Sequence, residues 1–294
     1  MRATTPLSVR EKHFLDTSVT WPLLAGSTTY RQHLETQFAP NAKYVSVYVQ
    51  MEMRRSFIQP AIAFYSLLQL PSILSVQDAL NLWSNEFKPR RLKFMIHFVA
   101  DLMRTHSLDF NDSADKEKAS IALANYIIRF EAKLRRSFKD PGQDTTRCTR
   151  ALIPLRFHAE NLSSGLEQFA EQFDDTEHCR NNCSIDYVLL RRYSKEVQRI
   201  IDVSKSTPDN NATHGFLAVA NQLATVVKKG ADACSCHRCE KIGDAVIALE
   251  TPRQMLLEHL DNSFNYLCPP LAQRHRQHES EIAFHKAQSP KQPV

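Results

Sequence analysis

Four carboxylates lie where an acidic site could be built: Asp16 in FLDTSV, Glu52 in YVQMEMRR, Asp244 in KIGDAVIAL and Asp261 in HLDNSF. Asp16 and Asp261 close short apolar runs that read as strands, whereas Glu52 and Asp244 fall near the starts of segments that read as helices. In an open α/β sheet, ligands bind beyond the carboxyl ends of the strands, so the four side chains are expected to meet at one point. Converging like charges repel unless a cation or a proton neutralises them. Hard oxygen donors suit Mg2+ or Mn2+, ions that activate water and offset the charge that builds on a phosphate in transit. Taken singly, an Asp at a strand end is more often a helix cap or a turn residue than a ligand.

The cysteines are the second group with chemistry. Cys179 and Cys183 form one close pair, and Cys234, Cys236 and Cys239 form a second cluster farther along the chain. Structural zinc takes four ligands supplied in such close pairs, so Cys179, Cys183, Cys236 and Cys239 could hold one Zn2+, with Cys234, Cys148, His178 and His237 as alternates. The other reading is unligated thiols in a reducing compartment. Cys268, inside the apolar NYLCPPL, reads as core.

The elements that must carry these residues are legible in outline. Lys12 to Val19 (KHFLDTSV) reads as a strand delivering Asp16 at its end, Pro22 to Gln37 as a helix, and Lys43 to Val49 (KYVSVYV) as a second strand. A helix bearing Glu52 in its first turn follows. From about Ser75 to Lys229 only helical periodicity recurs, broken by polar stretches. Arg238 to Ala248 reads as a helix and Gln254 to Leu260 as a strand ending at Asp261. With only 6 glycines in 294 residues, tight hairpins should be few and helices long. The expected architecture is an α/β domain, residues 10–70 and 231–272, split by an all-helical insertion at 71–230 and followed by a flexible tail at 273–294.

With the motifs in place, the chain resembles the PIN-domain nucleases: FLDTSV, YVSVYVQMEMRRSF, KIGDAVIAL and HLDNSFNYLC match that family's four acidic motifs in order. The resemblance implies a parallel sheet flanked by helices. It also implies Asp16, Glu52, Asp244 and Asp261 as catalytic, metal-binding acids, Ser18 as the small hydroxyl residue supporting the first of them, and Mg2+- or Mn2+-dependent hydrolysis of RNA phosphodiester bonds. The stretch between Glu52 and Asp244 far exceeds what a minimal member of the family has there. His259-Leu260-Asp261 also departs from the family's usual Thr-Asn-Asp.

Net charge is +5 with a pI near 8.8, in keeping with a polyanionic partner. Basic clusters such as Arg135–Arg136 and Arg191–Arg192, and Arg54 and Arg55 beside Glu52, could hold an RNA backbone or serve as ion-pair partners on their helices. Trp83, Phe87 and Phe94 could stack on bases, although their helical spacing fits a core better. MRATTPLSVREKH has no apolar h-region, and no apolar run nears the ~18 residues of a membrane span. The expectation is therefore a soluble, cytoplasmic endoribonuclease with RNA as substrate and no membrane partner. The alternative is a PIN-like scaffold that binds nucleic acid or protein through its helical insertion without cutting; an inhibitor protein and self-association are left open.

Overall fold

The computed structural model describes residues 11–38, 42–86, 89–139, 148–153, 155, 162–174, 183–230, 239 and 241–288. The chain is α/β, with a small all-parallel sheet and helices in the majority, and it divides into two compact units. The first unit draws on residues 1–50, 136–148 and 179–294, the second on 51–135 and 149–178. Residues 183–230, read from sequence as insertion, thus belong with the sheet. The helices Ser194–Ser206 and His214–Lys229 bury Val197, Ile200 and Ile201, and Phe216, Val219 and Leu223; Phe216 stacks on Tyr266 with ring centroids 5.7 Å apart.

The sheet of the first unit consists of β1 (Lys12–Leu15), β2 (Lys43–Tyr44), β3 (Met255–His259) and β4 (His275–Gln277), in the order β2-β1-β3-β4. Leu15 pairs with Glu258 and Phe14 with Leu257, while Glu258 pairs with Arg276. All five residues of β3 are buried, as a parallel strand covered on both faces requires. Because side chains alternate along a strand, one face carries His13, Glu258 and Arg276, and the other carries Phe14, Leu257, His259 and His275.

Glu258, with 0% exposure, is the unusual member of this core. His13 Nδ1 and His278 Nε2 each lie 2.7 Å from its carboxylate, and Arg276 donates to it through Nε at 2.9 Å and an Nη at 2.5 Å. Phe38, from the helix Thr28–Phe38, packs on both imidazoles. Burial alone would raise the pKa of this carboxyl, but the hydrogen bonds from His13, His278 and Arg276 outweigh it and hold the group at about 2. This network corrects the expected flexible tail: residues 275–277 are a strand and Glu281–Gln288 is a helix. Arg276 and His278 of that segment are internal partners of Glu258.

Other boundaries also differ from the sequence reading. Residues Lys43 to Val49 are not one strand; β2 ends at Tyr44 and a helix, Val47–Met53, begins at once. Ser46 explains the change, since its Oγ accepts the Val49 amide at 3.1 Å, and such a cap overrides the β-propensity of Val-Tyr-Val. Glu52 therefore sits at the end of that helix and not in its first turn. The stretch from Pro22 to Gln37 is likewise two helices, Thr17–Ala25 and Thr28–Phe38.

The second unit is helical, built on Gln59–Gln69, Val76–Glu86, Pro89–Thr105, Ser113–Ser137 and Leu162–Asp174. Arg54, in the π-helical turn Arg54–Ile58, is buried in it. Its guanidinium pairs with Glu131 and donates to the carbonyls of Ala151 and, at 3.0 Å, Ile153. Of the two roles open to Arg54, the structure assigns the structural one. Trp83 is fully buried; Phe87 and the side chain of Phe94 lie outside the described residues.

Substituting Glu258→Gln should lower stability at neutral pH by about 3 kcal/mol, because three donors lose their buried charge. The stability carried by Glu258 is present above pH 4.5 and fades as pH falls toward 2, so the deficit of the variant should shrink in acid. Urea unfolding followed from pH 7 to pH 3 measures both.

Candidate functional site

The carboxyl ends of β1 and β3 form the site. Asp16 follows β1, and its amide donates to the Glu258 carbonyl at 3.0 Å, which continues the β1–β3 pairing by one residue. Its side chain caps the helix Thr17–Ala25, accepting from the Ser18 amide at 3.0 Å and from the Ser18 hydroxyl. The cap reading of Asp16 is therefore met, and the residue is also only 4% exposed. Ser18 Oγ in turn accepts the Leu260 amide at 3.0 Å, tying the segment after β3 to the first acid.

Asp244 is the second residue of the helix Gly243–Glu250, which is buried along nearly its whole length. The Ser263 hydroxyl donates to its Oδ2 at 2.5 Å. Asp261 follows β3, is exposed, and accepts the Ser263 amide at 2.9 Å, an Asx turn. Asp16, Asp244 and Asp261 feel one another electrostatically: the charge of Asp261 acts on Asp16, and the charges of Asp16 and Asp261 act on Asp244. Glu52 falls in the second unit, so the trio is what the first unit assembles from its own residues.

No protein-family model, curated protein or solved structure matches this chain.

Electrostatics sets the character of the trio. Burial raises the Asp16 pKa above the ordinary carboxylate value, the Ser18 and Thr17 hydrogen bonds pull it partly back, and Asp261 adds to the rise. Asp244 retains some exposed surface, yet its carboxyl lies among enough protein that burial, followed by the charge of Asp16, pushes it up to about 7 against the pull of Ser263. His259 offers no compensating charge. Burial and its neighbour His275, with Nε2 and Nδ1 3.1 Å apart, push its pKa down to about 4, so it is neutral at pH 7. Among the described residues, no three His, Cys, Asp or Glu side chains are already arranged as a metal centre.

The cysteine cluster is only partly in view. Cys239 and Cys148 are buried and Cys183 is half-buried, and the Cys239 carbonyl accepts the Tyr48 hydroxyl at 2.5 Å. Cys179, Cys234 and Cys236, with His178 and His237, lie outside the described residues. Cys268 is a core thiol, with burial pushing its pKa up to about 12. No helix among the described residues is long and apolar enough to cross a membrane.

Sequence reasoning missed Ser263 and the ring of donors around Glu258. The spacing Asp261-Asn262-Ser263 is an Asx-turn signal, and it could have pointed to Ser263.

An acid whose folded pKa lies above its unfolded value stabilises the fold below the unfolded pKa and loses that contribution as pH rises through the folded one. Holding Asp244 ionised should thus cost up to about 4 kcal/mol above pH 7 and nothing near pH 4. In cation-free buffer, Asp244→Asn should therefore melt several degrees above the parent at pH 8 and level with it near pH 4. Thermal unfolding in the presence of a chelator at the two pH values provides the comparison.

Proposed function

We propose that the chain is a divalent-metal-dependent endoribonuclease of PIN-like architecture that hydrolyses RNA phosphodiester bonds. The observation that carries this reading is the gathering of Asp16, Asp244 and Asp261 beyond the carboxyl ends of adjacent parallel strands, where burial first, and the charges of Asp16 and Asp261 after it, raise the Asp244 pKa to about 7. Such a set is costly to keep in a fold unless something cationic resides there.

The donor chemistry fits Mg2+ or Mn2+, since all three side chains offer hard carboxylate oxygens. Asp16, Asp244 and Asp261 would hold the ion, with Ser18 fixing Asp16 through its amide and hydroxyl. The fourth acid that the resemblance names, Glu52, falls in the second unit and is not counted in this set. When bound, such an ion supplies an activated water and neutralises charge developing on the phosphate. The chain's own part is to orient the carboxylates, to turn them toward a common point and to give up the Asp244 proton as the ion binds. Arg191, Arg192 and Lys195, exposed on the first unit, offer a basic surface for the RNA backbone. In the same reading, Cys179, Cys183, Cys236 and Cys239 hold a structural Zn2+.

Purified protein should cleave single-stranded RNA with Mn2+ and not with EDTA. Asp16→Asn and Asp244→Asn should each reduce the rate by about a hundredfold or more while circular dichroism stays unchanged. Cleavage that persists in both variants defeats the reading. Tight RNA binding by the parent chain without any Mn2+-dependent cleavage favours the inactive-scaffold alternative.

A further inference from the structure

Ser263 stands at the start of the short helix Phe264–Leu267, the position where a serine ordinarily turns its hydroxyl onto its own helix. It does not do so here: no side-chain cap bond is made, and the hydroxyl reaches instead to Asp244 Oδ2, 2.5 Å away and 19 residues earlier in the chain. The Ser263 amide meanwhile donates to Asp261 Oδ1 at 2.9 Å. One residue thus grips two of the three acids with two donors, and at 2% exposure its hydroxyl is shielded from exchange with water. At the start of the helix it forgoes capping, the Ser263 carbonyl accepts the Tyr266 and Leu267 amides at 3.1 and 3.0 Å.

We infer that Ser263 is a positioning residue of the acidic site, setting the orientation of Asp244 relative to Asp261 so that the two present oxygens to the same divalent cation. The inference rests on the proposed metal-dependent reading and extends it to a residue outside the four acidic positions. Its geometry mirrors that of Ser18. Ser18 joins Asp16 to the segment after β3, and Ser263 joins that same segment to the helix of Asp244. A hydroxyl beside a ligating carboxylate fixes which oxygen faces the ion and how freely the group rotates, and losing such an outer partner typically costs about 10- to 100-fold in metal affinity.

The test measures Mn2+ binding by electron paramagnetic resonance, and RNA cleavage across a Mn2+ titration, for the parent, Ser263→Ala and Ser263→Thr. Ser263→Ala should weaken Mn2+ binding by about ten- to a hundredfold. Its cleavage rate at saturating Mn2+ should stay within about threefold of the parent, and Ser263→Thr, which keeps the hydroxyl, should bind nearly as the parent does. A metal-free double-mutant cycle of Ser263→Ala with Asp244→Asn, read by urea unfolding, should show a non-additive coupling that a serine acting only as packing would lack. Parent-like Mn2+ affinity in Ser263→Ala, or additivity in the cycle, overturns the inference and leaves the proposed function standing. Failure of the parent itself to bind Mn2+ overturns both.

Discussion

The hydroxyl of Ser18 bridges the two central strands at the point where they stop, giving its proton to Asp16 and taking the amide of Leu260. Most of the first unit can be understood from that contact. It requires β1 and β3 to end level, which the pairing of Leu15 with Glu258 secures, and it requires a helix to begin immediately after Asp16. Once both hold, the chain leaving β3 is steered across the end of the sheet, where Asp261 and Ser263 meet the helix of Asp244. Two hydroxyls and a handful of amides thus draw together acids that would otherwise separate.

Two carboxylates near the carboxyl end of β3 are electrostatic opposites. At Glu258 a buried carboxylate is oversupplied with donors and its pKa is driven down to about 2, while at the start of the preceding helix, Gly243–Glu250, Asp244 is undersupplied and rises to about 7. The same chemical group is burdened or favoured by what surrounds it. Surplus stabilisation at the first location offsets strain at the second, the distribution expected where a fold maintains a costly site.

The placement of Asp16, Asp244 and Asp261 could be read in advance because each ends or opens an apolar run, and the periodicity of such runs is a local property of the sequence. Glu258 could not be read in this way. It lies inside an apolar strand, and the residues that make its burial tolerable come from other elements, His13 from 245 residues away and Arg276 from a later strand 18 residues on. Arg276 and His278 looked like solvated tail for the same reason. Tyr44 to Val49 misled in the other direction: three strongly β-prone letters are helical because a single serine precedes them. Arg54 shows the limit for charges, since nothing nearby in sequence announces Glu131 or the carbonyls that take its guanidinium.

The order of the sheet also has a temporal meaning. β1 lies near the start of the chain and its neighbour β3 near the other end, so that His13 and Glu258 meet across a separation of 245 residues. A pairing this remote has to close a very long loop before any ladder bond compensates for the lost entropy. While the polypeptide is still leaving the ribosome, β1 has no β3 to join and Asp16 has no second acid beside it. The three acids therefore come together only after both strands have been made, because the pairing that aligns the segments bearing them closes a separation of 245 residues.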